Sequence, residues 1–376
     1  MQFILSTSRK HRLRGITIIE VLTSIVVAMI GVFGVMILIP FATRQAERGL
    51  DRDVSTSVGR SAFHQMQIEG YYRIEGATSR WADGAASTLA PVPAVVAIDP
   101  LFVTESDGTG ANFGVSFLKS ALDPMPPMAP ATPPAPIQIP IISLASPSGA
   151  ALSQAAARQL CRSTDDLVFE MPDDDLDPPQ QVYDIIGPDK VRRQSRGEFS
   201  WSAVAVPVKD RVGTVAAAAW KYRMSVLVYK DRVISDDLEH RFADVDLTAA
   251  IAGATDPIVG FSGGVLALQN TPSLPEFLQD VRKDDWVMMI NEIPGAEPGF
   301  NQQIGFYQVV GVDAVITLDG PDFVFSVDNP TTGMQQALPT RIIALNGIDP
   351  ITGKENRVVN VYERTFRWEQ TSVWNQ

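Results

Sequence analysis

Cysteine and histidine are nearly missing from this chain, and their scarcity removes several chemistries at once. Among 376 residues there is one cysteine, Cys161, so no disulfide can form within the molecule. A lone thiol of this kind reads as a small buried hydrophobe. Histidine occurs only as His11, His64 and His240, which show no metal-ligand spacing. A phosphate-cradling loop, a dinucleotide fingerprint and a paired-carboxylate active site are equally missing from the motifs. The stretch GFSGG at 260–264 matches the form G-x-S-x-G, yet no histidine follows His240 to serve as its base. The apolar run VLALQN comes next, where a nucleophile elbow requires a helix, so the motif reads as a glycine-rich turn between strands. The expectation is therefore of no enzyme and no cofactor.

Acidic residues are absent from the first fifteen positions, which carry Arg9, Lys10, Arg12 and Arg14. The whole chain nevertheless has a formal charge of −12, so the remainder is more acidic still. Such a body is repelled by nucleic-acid phosphates and by anionic headgroups, which leaves cations and basic protein surfaces as partners.

Charge is also missing from Ile16 to Phe41, with one exception, Glu20. As a helix, at 1.5 Å per residue, that run is long enough to cross a hydrocarbon core of about 30 Å. The basic cluster before it and the mixed TRQAERGLDRD after it place the N-terminus in the cytoplasm and the body outside. The run is too long for a secretory signal and lacks a small-x-small cleavage site at its end. A plain signal anchor fits the length but leaves Glu20 unexplained, because a carboxylate at mid-membrane costs on the order of 3 kcal/mol.

The arrangement as a whole, a basic leader, Gly15, then ITIIE with Glu20 fifth after the glycine, then the apolar run, resembles the class III signal of type IV pilins and type II secretion pseudopilins. The resemblance covers about Arg9 to Gly49. It implies cleavage after Gly15 by a prepilin peptidase, methylation of the new N-terminal residue Ile16, and a filament-assembly role for Glu20. In that role Glu20 neutralises the ammonium of a neighbouring subunit's Ile16 and turns two costly membrane charges into a pair. The implied partners are the peptidase, other pilins or pseudopilins, the inner-membrane assembly platform and the lipid bilayer, with no nucleic acid. The family usually has phenylalanine where Ile16 stands, and its mid-helix proline is displaced here to Pro40.

Past Pro40 the helical pattern continues, with Phe41, Leu50, Val54, Val58, Ala62 and Met66 recurring mostly at four-residue steps. Gly49 and Gly59 are expected to weaken it locally. The pilin resemblance implies one long helix whose second half packs on an antiparallel sheet, an α+β fold. The expected organisation is a leader over 1–15, a transmembrane helix over 16–41 and its continuation over 42–83. A proline- and alanine-rich loop or disordered insertion follows over 84–148, then the rest of the head over 149–232. Residues 233–376 form a β-rich region, a small barrel or an extension of the sheet.

Within the head, GAALSQAAARQLCRSTDD reads as a short helix with Leu152, Ala155, Ala156, Gln159 and Leu160 inward. EFSWSAVAVPVK and WKYRMSVLVYKDR read as a strand pair packed on one face. Asp173, Asp175 and Asp177 in MPDDDLDPPQ form a carboxylate cluster of the kind calcium takes, and some pseudopilins bind calcium. The loop lacks the glycine and terminal glutamate of an EF-hand, and a solvated acidic loop is the simpler account. The leading functional expectation is a minor pilin-like subunit. The alternative is a membrane-anchored exported binding or adhesion domain that never enters a filament.

Overall fold

The computed structural model of the chain describes residues 17–71, 74–75, 78–79, 81–82, 95–105, 139, 141–145, 152–162, 167–170, 192–195, 198–208, 221–234, 242–246, 258–262, 265–269, 281–292, 302–312, 315–321, 326–328, 335–337, 339–348 and 352–367. Helix α1 (Ile18–Ile68) is followed by strands β1 (Ile74–Glu75), β2 (Thr78–Ser79), β3 (Trp81–Ala82) and β4 (Val96–Ile98), helix α2 (Pro100–Glu105), strand β5 (Ile141–Leu144) and helix α3 (Gln154–Cys161). Next come β6 (Leu167–Glu170), β7 (Arg192–Ser195), β8 (Phe199–Val208), β9 (Lys221–Lys230), β10 (Phe242–Asp246), β11 (Ile258–Ser262) and β12 (Val265–Gln269). The last are β13 (Trp286–Glu292), β14 (Gln302–Val312), β15 (Val315–Asp319), β16 (Ser326–Asp328), β17 (Gln335–Ala337), β18 (Pro339–Ala344) and β19 (Arg357–Arg367). The fold is α+β, and the chain divides into two units, Met1–Asp51 and Arg52–Gln376.

The long helix forms as its periodicity requires and runs through Pro40, Gly49 and Gly59 without a break. It stops at Ile68 because Gly70 adopts a positive φ of 70°. Tyr71 N–H then donates to the Met66 carbonyl at 2.9 Å and Gly70 N–H to that of Gln67 at 3.2 Å, the paired bonds of a Schellman cap.

In the second unit a six-stranded sheet, in the order β19-β9-β8-β4-β5-β3, is covered on both faces. One face meets Val58, Ala62, Phe63 and Met66 of α1 together with Ala157 and Cys161 of α3. The other meets Met288, Ile290, Ile304, Phe306 and Ile343 of a seven-stranded sheet, in the order β10-β18-β13-β14-β15-β12-β11. The expected strand pair is present as β8 and β9, antiparallel with Trp201 opposite Val228. Its packing differs from the one-faced expectation. Trp201, Ala203, Met224 and Val226 face the helices, whereas Val204, Val206, Leu227 and Tyr229 face the second sheet. Burial of such side chains contributes roughly 1.5–3 kcal/mol each, so the covering sheet adds a second core rather than a trim.

Three local expectations are corrected. Phe41 and Leu50 are exposed, and the inward stripe of α1 begins only at Val54 and Ser55. The innermost residues of α3 are Ala157 and Cys161; of those expected inward, Leu152 and Leu160 are partly buried against the core and Ala156 is half-buried, whereas Ala155 and Gln159 are exposed. Its phase is set by Ser153, whose hydroxyl oxygen caps the helix by accepting from Ala156 N–H at 3.3 Å, and by the pairing of Arg158 with Glu105. Finally, β4, α2 and β5 lie inside the stretch read as a loop over 84–148, because the apolar segments around VVAI and IISL supply central strands. Residues 106–138 of that stretch lie outside the described residues.

Candidate functional site

The candidate site is the start of α1. Every large apolar side chain from Ile18 to Phe41 is between 47% and 81% exposed, on all sides of the helix. An apolar surface of that extent marks a membrane or protein interaction, and the helix is long and apolar enough to cross a membrane. Its polar groups are satisfied internally. The Thr23 hydroxyl lies 3.0 Å from the Ile19 and Glu20 carbonyls, Ser24 donates to the Glu20 carbonyl at 2.7 Å, and Thr43 donates to that of Ile39 at 2.9 Å. Hydroxyls bonded back to their own helix carry no need for outside partners.

Glu20 is held by its own helix. Thr17 N–H donates to the Glu20 carboxylate at 3.4 Å, and Glu20 N–H donates to the Thr17 hydroxyl at 3.3 Å. This is a capping box, which satisfies two of the helix's orphan donors reciprocally, and it places a carboxylate at the positive end of the macrodipole. Thr17 is the residue that sequence reasoning passed over. Its signal was legible as Thr-x-x-Glu immediately ahead of an apolar run. Gly15 and Ile16, the expected cleavage and methylation positions, lie outside the described residues, as do Asp173, Asp175 and Asp177. Among the described residues, no group of three or more His, Cys, Asp or Glu side chains converges as a metal site.

A second concentration of charge lies inside the other unit. Asp99 accepts from Phe102 N–H at 3.1 Å, capping α2 ahead of Pro100, and receives Arg232 in a two-pronged pair, with Nη1 3.1 Å from Oδ1 and Nη2 on Oδ2. The side chains of this pair are 1% and 7% exposed, which makes it a true interior ion pair. Arg232 follows Asp231, whose left-handed φ of 52° turns the chain after β9, and its guanidinium lies 4.4 Å from the Tyr229 ring centre. Burial disfavours the Arg232 charge, but Asp99 outweighs it and holds the guanidinium protonated. Burial raises the Tyr229 hydroxyl and pushes the Cys161 thiol well above its ordinary value, the latter helped by Asp99. A thiol so placed is an inert core group rather than a nucleophile. Around this pair, Glu105 joins Arg158 at 2.5 Å and Arg162 at 3.5 Å.

The serine of GFSGG lies on β11, where Ser262 pairs with Val265 of the antiparallel strand β12. A strand therefore stands where a nucleophile elbow has its helix.

No family model matches the sequence, and no curated protein is significantly similar to it. A solved structure, the bovine atadenovirus type 4 fibre head, is similar at 6% identity over 44% of this chain and 89% of that one, with a TM-score of 0.14. A likeness that low bears on neither fold nor function.

Proposed function

We propose that this chain is a minor pilin-like subunit of a type IV pilus or a type II secretion pseudopilus. In this reading it is a single-pass protein of the bacterial inner membrane, with its N-terminus in the cytoplasm and its head exported. A prepilin peptidase cuts after Gly15, Ile16 is methylated, and the apolar half of α1 joins the subunit to its neighbours and to the assembly platform. The observation that carries the proposal is the order of basic leader, Gly15, Ile16 and Glu20 ahead of an exposed apolar helix. The continuation of that helix into a stripe packed on an antiparallel sheet supports it. Expression with and without a prepilin peptidase, followed by N-terminal mass analysis, tests it. Loss of residues 1–15 with gain of one methyl group is expected, and an intact leader in the presence of the peptidase overturns it.

One observation favours a second reading, an exported binding domain on a plain membrane anchor. The capping box gives Glu20 an occupation that needs no filament. Two substitutions separate the readings. Glu20→Gln keeps the box, since glutamine serves equally at that position, but abolishes the charge. Filament incorporation lost in Glu20→Gln while membrane insertion persists supports the subunit. Incorporation retained in Glu20→Gln and lost in Glu20→Ala assigns Glu20 to helix capping alone.

A further inference from the structure

The charges that bound the apolar part of α1 suggest what fixes its depth. Between Glu20 and Arg44 the helix carries no charge, and it is unbroken across that interval. Twenty-four residues of helix separate them by about 36 Å, slightly more than a hydrocarbon core of about 30 Å. The Thr43 hydroxyl is bonded back to the Ile39 carbonyl at 2.9 Å, so Arg44 is the first group on that side that must reach a polar environment. Arg44 is exposed and has no ion-pair partner among the described residues. Arg48 follows four residues later on the same helix face.

We propose that Arg44 holds a phospholipid phosphate at the exported face of the bilayer and thereby sets the depth at which α1 rides. The inference rests on the membrane reading of α1. It commits to phospholipid because the charge-free apolar helix leads directly into the guanidinium, and because a guanidinium presents a fork of donors that matches phosphate oxygens in pairs. The strongly acidic remainder of the chain supplies no such attraction. Loss of Arg44 would let the helix sink until Arg48 takes its place.

The test uses the full chain in phosphatidylcholine vesicles, with a nitroxide on Ala42→Cys. Cys161 is wholly buried and does not compete for the label. Label depth is read by electron paramagnetic resonance. Arg44→Leu should sink the label by up to one turn, roughly 5 Å, while Arg44→Lys leaves it in place. In phosphate-free galactolipid vesicles, where the guanidinium meets a polar headgroup but no phosphate, Arg44→Leu should sink the label clearly less than in phosphatidylcholine. Equal depth in phosphatidylcholine with the label still inside the bilayer overturns the proposal and leaves the membrane helix standing. Sinking to the same extent in both lipids overturns the phosphate assignment. Self-association lost at unchanged depth assigns Arg44 to a protein neighbour instead. A label in water throughout overturns the membrane reading itself.

Discussion

The ring of Tyr362, on β19, lies against the backbone of Gly59, on α1, so closely that a Cβ on Gly59 would stand 2.2 Å from the ring carbon Cδ2. The Tyr362 hydroxyl donates to Thr56 Oγ1 at 2.8 Å and accepts from Asn360 Nδ2 at 2.7 Å. Thr56 in turn donates to the Arg52 carbonyl at 2.7 Å. Strand and helix are thus joined by one aromatic ring with a polar thread at its tip. Glycine at position 59 is a packing requirement rather than a weak point in the helix.

Gly59→Ala should therefore destabilise the second unit, by roughly 1–2 kcal/mol. Overpacking of this kind costs about 1–3 kcal/mol, against a gain in helix propensity of up to about 1 kcal/mol. Urea denaturation measures the difference. In a Tyr362→Ala background the same substitution should become stabilising, and a clash that persists there would mean that the ring is not its cause.

The interior pair Asp99–Arg232 predicts a strong coupling. Arg232→Met or Asp99→Ala alone leaves a buried charge unpaired and should cost about 3–5 kcal/mol. Asp99→Asn retains an acceptor for Phe102 N–H and isolates the charge from the cap. Replacing both partners by apolar residues should cost clearly less than the two single losses together. Additive losses in denaturant midpoints would show that the two side chains act separately.

Cys161 should be silent toward thiol reagents while the head is folded. It is fully buried and its thiol is held protonated by burial. Labelling monitored by mass should follow the unfolding transition in denaturant and no earlier step. Rapid labelling in buffer would contradict the burial assigned to α3.

Asp285 gives the head a pH dependence of known sign. Burial raises its carboxyl above the ordinary value, against the opposing Arg282 N–H at 2.8 Å and the charge of Arg357. A raised acid contributes stability that is present in full below the unfolded pKa, about 3.9, and is lost as pH rises through the folded value. Asp285→Asn keeps the acceptor for Arg282 but cannot ionise. Comparing the melting temperatures of the two proteins from pH 3 to pH 7, the advantage should tilt progressively toward the asparagine variant. A constant difference would assign Asp285 no part in the pH response.

Much of this was readable in advance, for a physical reason. The helix declared itself through a 3.6-residue pattern, β8 and β9 through apolar runs bounded by turn residues, and the part after residue 232 through its β-rich character. Those signals are local. What escaped depends on partners distant in the chain. The residues VVAI and IISL sit beside proline-rich sequence, and nothing local tells that β4 and β5 lie between β8 and β3. The Met, Ile and Phe residues of β13 and β14 announce burial but not that they bury the second face of another sheet. At the candidate site Glu20 stood out because it is a charge among hydrocarbons. Thr17 did not, although the capping box needs both, because a hydroxyl among hydrocarbons attracts less notice than a carboxylate.

The position of β19 also orders events in time. The strand that closes the edge of the six-stranded sheet, and that carries the ring seated on Gly59, is the last element among the described residues. A growing chain emerges with α1 complete roughly three hundred residues before the strand that pairs with β9 and locks onto it. Native pairing over such separations is slow to form. The seat around Thr56 and Gly59 that receives this ring therefore waits through most of synthesis for its partner, and a chaperone that shields it during that interval should matter more to the yield of this protein than one that acts on the finished chain.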